Sequence, residues 1–229
     1  MDVATRPILM HAWSVRGILN GRKTQTRRIV KPQPDVSDWS TSSIDGHWAG
    51  ASARWAHHDD IPALGNGWYI EIPGMCEGPY RCPYGQPGDM LYVRETWAIR
   101  GCGRRVSLAP EAWPNGFPVD RIQYIATDEA PATDEKGQPY WWNSRPSIHM
   151  PKALSRLWLR VTGVRVERVQ EISAGDCYAE GVVYSGEGFD ECLDPRIVFE
   201  ALWDDTNGPG AWERNDWVWA LTFERVEAE

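Results

Sequence analysis

Alternation of apolar positions at spacing two, and their recurrence at spacing three to four, divide the chain into short strands and short helices. The clearest strand pattern is Leu157 to Val169, where Leu157, Leu159 and Val161 share one face until Gly163 shifts the phase. An extended strand with a bulge or bend at Gly163 is predicted there. Further strands are predicted over 6–12, 68–73, 90–99, 121–127 and 216–226, from their aliphatic and aromatic content and the turn residues around them. Helical spacing appears in three places. Val15, Ile18 and Leu19 follow Ser14, a predicted cap, and precede Gly21, a predicted stop. Ser173 with Asp176 three residues on predicts a helix ending at Gly181, with Glu180 in its last turn. Asp194-Pro195 opens a third helix through Phe199, Leu202 and Trp203. A short turn or helix is expected over 149–156. The intervals 31–67, 74–88, 101–120 and 128–146 are rich in Pro, Gly, Ser or acids and read as loops. Strands outnumber helices and do not alternate with long ones, so the fold class predicted is mixed α+β, a small barrel with peripheral helices, and not a parallel βαβ sheet.

Composition narrows the class. The 229 residues, 42% of them hydrophobic, suffice for one core. No apolar run approaches the roughly 20 residues that span a bilayer, and no signal-type apolar segment opens the chain, so a soluble cytoplasmic protein without a membrane partner is expected. Five Cys, an odd number at irregular spacing, read as reduced thiols. A net charge of −8 speaks against coating of duplex nucleic acid through many phosphates. The 15 acids and three Arg from Glu171 onward read as solvated surface. The 14 Trp are many for this length and belong to the core or to surfaces that stack on flat ligands.

Against that acidic background residues 3–34 contain no Asp or Glu and seven basic residues, a local +7 that leaves −15 for the remainder. Arg22, Lys23, Arg27 and Arg28 fall just after the first helix, with Thr24 and Thr26 among them. One reading is an anion site, or chemistry by Lys23 with a threonine; the other is a solvated basic turn. An extended backbone would set Lys23 and Thr26 on opposite sides, whereas a turn would let them meet. Arg94 and Glu95 either orient a ligand or form a buried pair that supports their strand, and Glu180 is either functional or simply solvated. Cys76, Cys82 and Cys102 lack paired metal spacing, and His57-His58-Asp59-Asp60 sits in an irregular stretch, so neither metal nor cofactor is expected. Nucleophile-elbow, zincin, phosphate-loop and dinucleotide signatures are absent.

The stretch Gly17-Ile18-Leu19-Asn20-Gly21-Arg22-Lys23-Thr24-Gln25-Thr26-Arg27 resembles the opening signature of the ASCH domain, a PUA-like β-barrel related to RNA-binding modules. The likeness continues through 82–98, 145–173, 179–182 and 199–226 and is similar to longer ASCH-like proteins of phages and prophages. It implies a single PUA-like domain over 1–229, with insertions at 35–66 and 102–140. Some small bacterial members remove the acetyl group of N4-acetylcytidine with a Lys and a Thr of this motif and a Glu at the end of a later helix. The resemblance therefore implies Lys23, Thr26 and Glu180 as catalytic residues. Arg22, Thr24, Arg27, Arg94, Glu95 and Trp97 are the expected ligand contacts. The expected partner is a modified pyrimidine base, nucleoside or nucleotide; the alternatives are a non-catalytic module for RNA or single-stranded nucleic acid, with Trp97 or a loop Trp stacking on a base, and a ribonuclease.

Overall fold

The computed structural model of the chain describes residues 3–34, 54–58, 67–72, 75–99, 122–128, 144–183 and 194–227. Most of both expected insertions, and the side chains of Cys76 and Cys102, lie outside the described residues. The architecture is mixed α and β, rich in sheet and poor in helix. Its centre is a five-stranded sheet of β1 (Thr5–Leu9), β2 (Gln25–Ile29), β6 (Met90–Arg94), β9 (Trp158–Arg168) and β10 (Trp217–Val226), in the order β1-β6-β9-β10-β2. Only the β1–β6 contact is parallel. A three-stranded antiparallel sheet of β3 (Arg54–His58), β4 (Gly67–Ile72) and β5 (Met75–Tyr80), and a pair β7 (Trp97–Ile99) and β8 (Ile122–Tyr124), complete it. The helices are α1 (Ala12–Leu19), α2 (Ala174–Ala179) and α3 (Pro195–Asn207).

β9 and β10 form the longest ladder, and its register shifts where Thr222 pairs with Gly163 but Phe223 with Val161. Thr162 is the extra residue, which bends the strand beside the glycine that marked the change of phase. β10 is buried from Val218 to Leu221 on both faces, because Val218 packs under α2 and α3, Trp217 and Trp219 against Trp68, and Leu221 against α1. Such a strand reads as a continuous apolar run instead of an alternating one.

β1 and β2 are the two edges of the sheet, yet α1 connects them directly. The sheet curls enough for Arg28 on β2 to donate from Nη2 to the carbonyl of Leu9 on β1 at 2.7 Å. Main-chain pairing does not join these edges; a side chain does.

Several local expectations are corrected. α1 begins at Ala12 with His11 as N-cap and no side-chain capping bond, so Ser14 is a buried helical residue and not the cap. Two stretches expected as loop carry strands, β3 within 31–67 and β5 within 74–88, because pairing with β4 supplies main-chain partners that local composition does not reveal. The strand expected over 90–99 breaks into β6 and β7 at Glu95-Thr96, where Glu95 N–H donates to Met150 Sδ instead of to a neighbouring strand. Residues 147–154 form two single 3-10 turns, each begun after a proline. Ser173 does cap α2, accepting from Asp176 N–H at 3.1 Å, and Asp194 caps α3. No helix among the described residues is long and apolar enough to cross a membrane.

Candidate functional site

Lys23 lies in the turn between α1 and β2 and is buried, only 3% exposed. Two glycines make its burial feasible. A Cβ on Gly17 would stand 3.0 Å from the Lys23 Cβ, and one on Gly181 would stand 3.2 Å from it, so the lysine stem passes between two residues that lack side chains. Gly181 also has φ +90° at the end of α2, a conformation L side chains rarely adopt. Its neighbour Glu180 is thereby turned toward the stem's end. Lys23 Nζ donates to Glu180 Oε2 and to the Glu180 carbonyl, both at 2.7 Å. The ammonium also lies 5.1 Å from the Trp13 ring centroid. Burial pushes the Lys23 pKa below its usual value; Glu180 opposes that shift, and Arg28 and Arg27 add to it.

The other oxygen of Glu180 accepts from Arg27 Nη1 at 3.1 Å. Arg27 is itself saturated: Nε meets Glu167 at 2.8 Å, Nη1 meets Gln25 at 2.9 Å and Nη2 meets Asp176 at 3.2 Å. Arg165 ties Glu167 and Asp176 together from the far side, at 2.7 and 2.8 Å. Burial of Asp176 opposes its ionisation, but bonds and charge from Gln25, Arg165 and Arg27 outweigh it and hold the carboxyl below its ordinary range. This network fixes Glu180 from behind and leaves Arg27 no free donor for a ligand. Thr26, 1% exposed, accepts from Arg28 Nη1 at 3.0 Å.

Lys23, Thr26 and Glu180, from the α1–β2 turn, β2 and the end of α2, line one cavity of about 500 Å³. Arg27, Arg28 and Arg94 line it as well, and Trp13, Tyr84, Phe199, Leu202 and Trp203 form its apolar wall. A pocket of this size, mostly apolar with a few converging polar groups, suits a flat small ligand.

The remaining expected contacts lie elsewhere. Glu95 does not face the cavity: it is 1% exposed and forms a two-pronged pair with Arg156, at 2.9 and 3.0 Å. The buried pair considered from sequence thus exists, but its cation is Arg156 and not Arg94, since adjacent strand residues point to opposite faces. Trp97 is fully buried among Ile99, Met150 and Leu154 and has no face to offer a base. Arg22 is exposed and bonds Asn20, and Thr24, also exposed, serves through its backbone, donating to Ala179 and accepting from Phe223.

Gln25, Glu167, Asp176 and Arg165 were not legible as site residues, because their roles arise from the order of strands in the sheet and from the packing of α2 beside β2. Trp13 and the Phe199/Trp203 face of α3 carried a signal, helical spacing beside the basic turn and a concentration of aromatics. Among the described residues no three His, Cys, Asp or Glu gather as a metal would require. Cys82 and Cys177 are free thiols, each pushed by burial up to about 11.

No family model matches the chain, and no curated protein does. A solved protein of Enterococcus faecalis V583, described by the family model DUF984, aligns over 99% of this chain and 82% of its own, with a TM-score of 0.35 and 10% identity. That likeness is too weak to assign a family.

Proposed function

We propose that this chain is an ASCH-like, PUA-related domain that binds a modified pyrimidine nucleoside or nucleotide and hydrolyses an acyl amide on its exocyclic N4. The observation that carries the proposal is the convergence of Lys23, Thr26 and Glu180, drawn from three separate segments, on one aromatic-walled cavity. The Arg28 bond between opposite edges of the curled sheet favours the barrel reading.

The chemistry follows from the groups present. Thr26 Oγ1 attacks the acyl carbonyl, and its proton passes to the neutral form of Lys23, which burial makes more accessible than in water. Arg28, already donating to the Thr26 oxygen, supplies positive charge next to the centre where the oxyanion forms. Collapse of the tetrahedral species breaks the C–N bond, with the proton returned from the Lys23–Glu180 pair to the departing amine. Water then cleaves the acyl-threonine, releasing the carboxylic acid and restoring the hydroxyl. Incubation with N4-acylated cytidines and their nucleotides, followed by chromatography, should reveal the deacylated cytosine compound together with the free acid. Intact substrate across the whole panel would defeat the hydrolytic reading.

A second reading, binding of single-stranded nucleic acid without catalysis, is favoured by one observation. A second cavity of about 540 Å³ is lined by Arg6, Arg81, Trp68 and Tyr80 and by Gly85, Gln86, Pro87 and Asp89 of the turn whose Tyr84 lines the first. Cations beside aromatic rings in adjoining hollows could hold successive nucleotides. Retention of a short RNA or DNA strand, with no turnover of any acylated base, would select it.

A further inference from the structure

The cationic groups around the first cavity differ in how their charge is matched. Lys23 and Arg27 meet carboxylates: Glu180 for both, with Glu167 and Asp176 added for Arg27. Arg28 and Arg94 do not. Arg28 donates to Thr26 Oγ1, to the carbonyls of Arg27 and Leu9 and to Met10 Sδ, all neutral acceptors. Arg94 donates from Nη2 to the Ile148 carbonyl, while its Nε is buried without a hydrogen-bond partner. Among the described residues neither guanidinium has a carboxylate partner, and the sole carboxylate lining the cavity is Glu180, already engaged by Lys23 and Arg27.

Topology brings these two cations to one place. Arg28 grips the Leu9 carbonyl; Leu9 is the register partner of Arg94, and the Arg94 carbonyl accepts from Met10 N–H at 3.1 Å. Two residues later α1 begins, with no side-chain cap and no acid in its first turn. His11, Trp13 and the buried Ser14 of that first turn line the same cavity. Unpaired N–H groups at a helix start carry partial positive charge and suit an anion. Two unmatched guanidinia, a buried donor lacking an acceptor and an open helix start thus meet around Leu9–His11.

We propose that Arg28, Arg94 and the first turn of α1 form a phosphate subsite, so that the ligand is a nucleotide, free or within a strand, and not an uncharged base or nucleoside. This rests on the pyrimidine reading above and sharpens it: the base occupies the Lys23–Glu180 end and the phosphate the Arg28–Arg94 end. The terminal nitrogens of Arg28 and Nη2 of Arg94 are held by neutral acceptors only, so a phosphate has to displace carbonyls, a hydroxyl or a thioether and no carboxylate, and gains charge-assisted bonds in exchange.

Calorimetric titration of the full chain with cytidine, cytidine 5′- and 3′-monophosphate, a cytidine-containing dinucleotide and inorganic phosphate tests it without turnover. One monophosphate should bind at least about tenfold more tightly than cytidine, the equivalent of one strong charge-assisted contact. Arg94→Gln should reduce that preference to below about threefold with little change for cytidine, as expected when only the phosphate contact is lost. Inorganic phosphate should compete with the monophosphate. A dinucleotide that surpasses both monophosphates identifies a phosphodiester within a strand as the source; otherwise it is a free nucleotide. Equal affinity for cytidine and both monophosphates overturns the subsite and leaves the pyrimidine reading standing. Arg94-dependent binding of phosphate, with no preference for cytosine compounds over ribose 5-phosphate, keeps the subsite and defeats the pyrimidine reading. Absence of binding by every probe overturns both. Comparison of the wild-type ligands alone decides the matter even if a variant fails to fold.

Discussion

Replacing Gly181 by alanine isolates the packing that places Lys23. Gly181 and Gly21 end their helices in the same way: each donates to the residue three before it, and the next residue donates to the carbonyl five before it, Val182 to Cys177 and Arg22 to Gly17. Both have positive φ, +90° and +75°. They differ in surroundings, because a Cβ on Gly21 meets nothing within 4 Å, whereas one on Gly181 stands 3.2 Å from Lys23 Cβ and 3.6 Å from its Cγ. Backbone strain alone should cost about 1–2 kcal/mol in either variant. Gly181→Ala should add about 1–3 kcal/mol of overpacking, since the lysine stem is trapped against Gly17 on its other side and has little room to yield. Urea denaturation measures both variants on one scale. Displacing Nζ by even a few tenths of an ångström also disturbs its 2.7 Å bonds to Glu180, so Gly181→Ala should lose catalysis about tenfold or more beyond its effect on binding. Gly21→Ala should keep near-normal activity in the folded fraction. Equal losses of stability and of activity in the two variants would refute the idea that the glycines exist to house Lys23.

Thr26→Ala should lower turnover by about two or more orders of magnitude with substrate affinity nearly unchanged, the pattern of a group needed only on the way to the transition state; a wild-type rate in single-turnover assays would remove the nucleophile assignment. Because the base must be neutral and burial depresses the Lys23 pKa, the rate should rise with pH on a limb centred below 10.5. Glu180 raises that pKa, so Glu180→Gln should move the limb to lower pH, measured from the pH dependence of kcat/KM; a shift upward would contradict the pairing. Arg156→Ala strands the buried Glu95 carboxylate and should destabilise the fold by about 3–5 kcal/mol. Titration of the folded fraction should find ligand affinity unaltered, since Glu95 lies away from the cavity, and a loss of affinity would contradict that placement.

Much of the fold was legible because its signals are local. The alternation of Leu157, Leu159 and Val161, the Ser173 cap, the Asp194-Pro195 helix start and the apolar run of the last strand each depend on residues a few positions apart. Propensity, capping and periodicity act over that range, so they survive in the sequence read alone. β3 and β5 were missed for the converse reason: their residues look like loop until β4 offers a partner.

The site divides along the same line. The sequence by itself determined a cluster of cations with two threonines at the end of a helix and the glycines that bound it; the resemblance only implied that Lys23 and Thr26 act with a later glutamate. It left open whether Lys23 and Thr26 share a side. Tertiary structure decided that: Lys23 sits in the turn, β2 begins at Gln25, and both side chains reach one cavity. Only the folded chain could bring Glu180 to Lys23 across 157 residues, assign Arg156 instead of Arg94 to Glu95, and hide Trp97 in the core. The physical reason is that a buried charge takes the counter-charge that topology delivers, and the topology depends on strand pairing between segments whose local sequences do not encode one another.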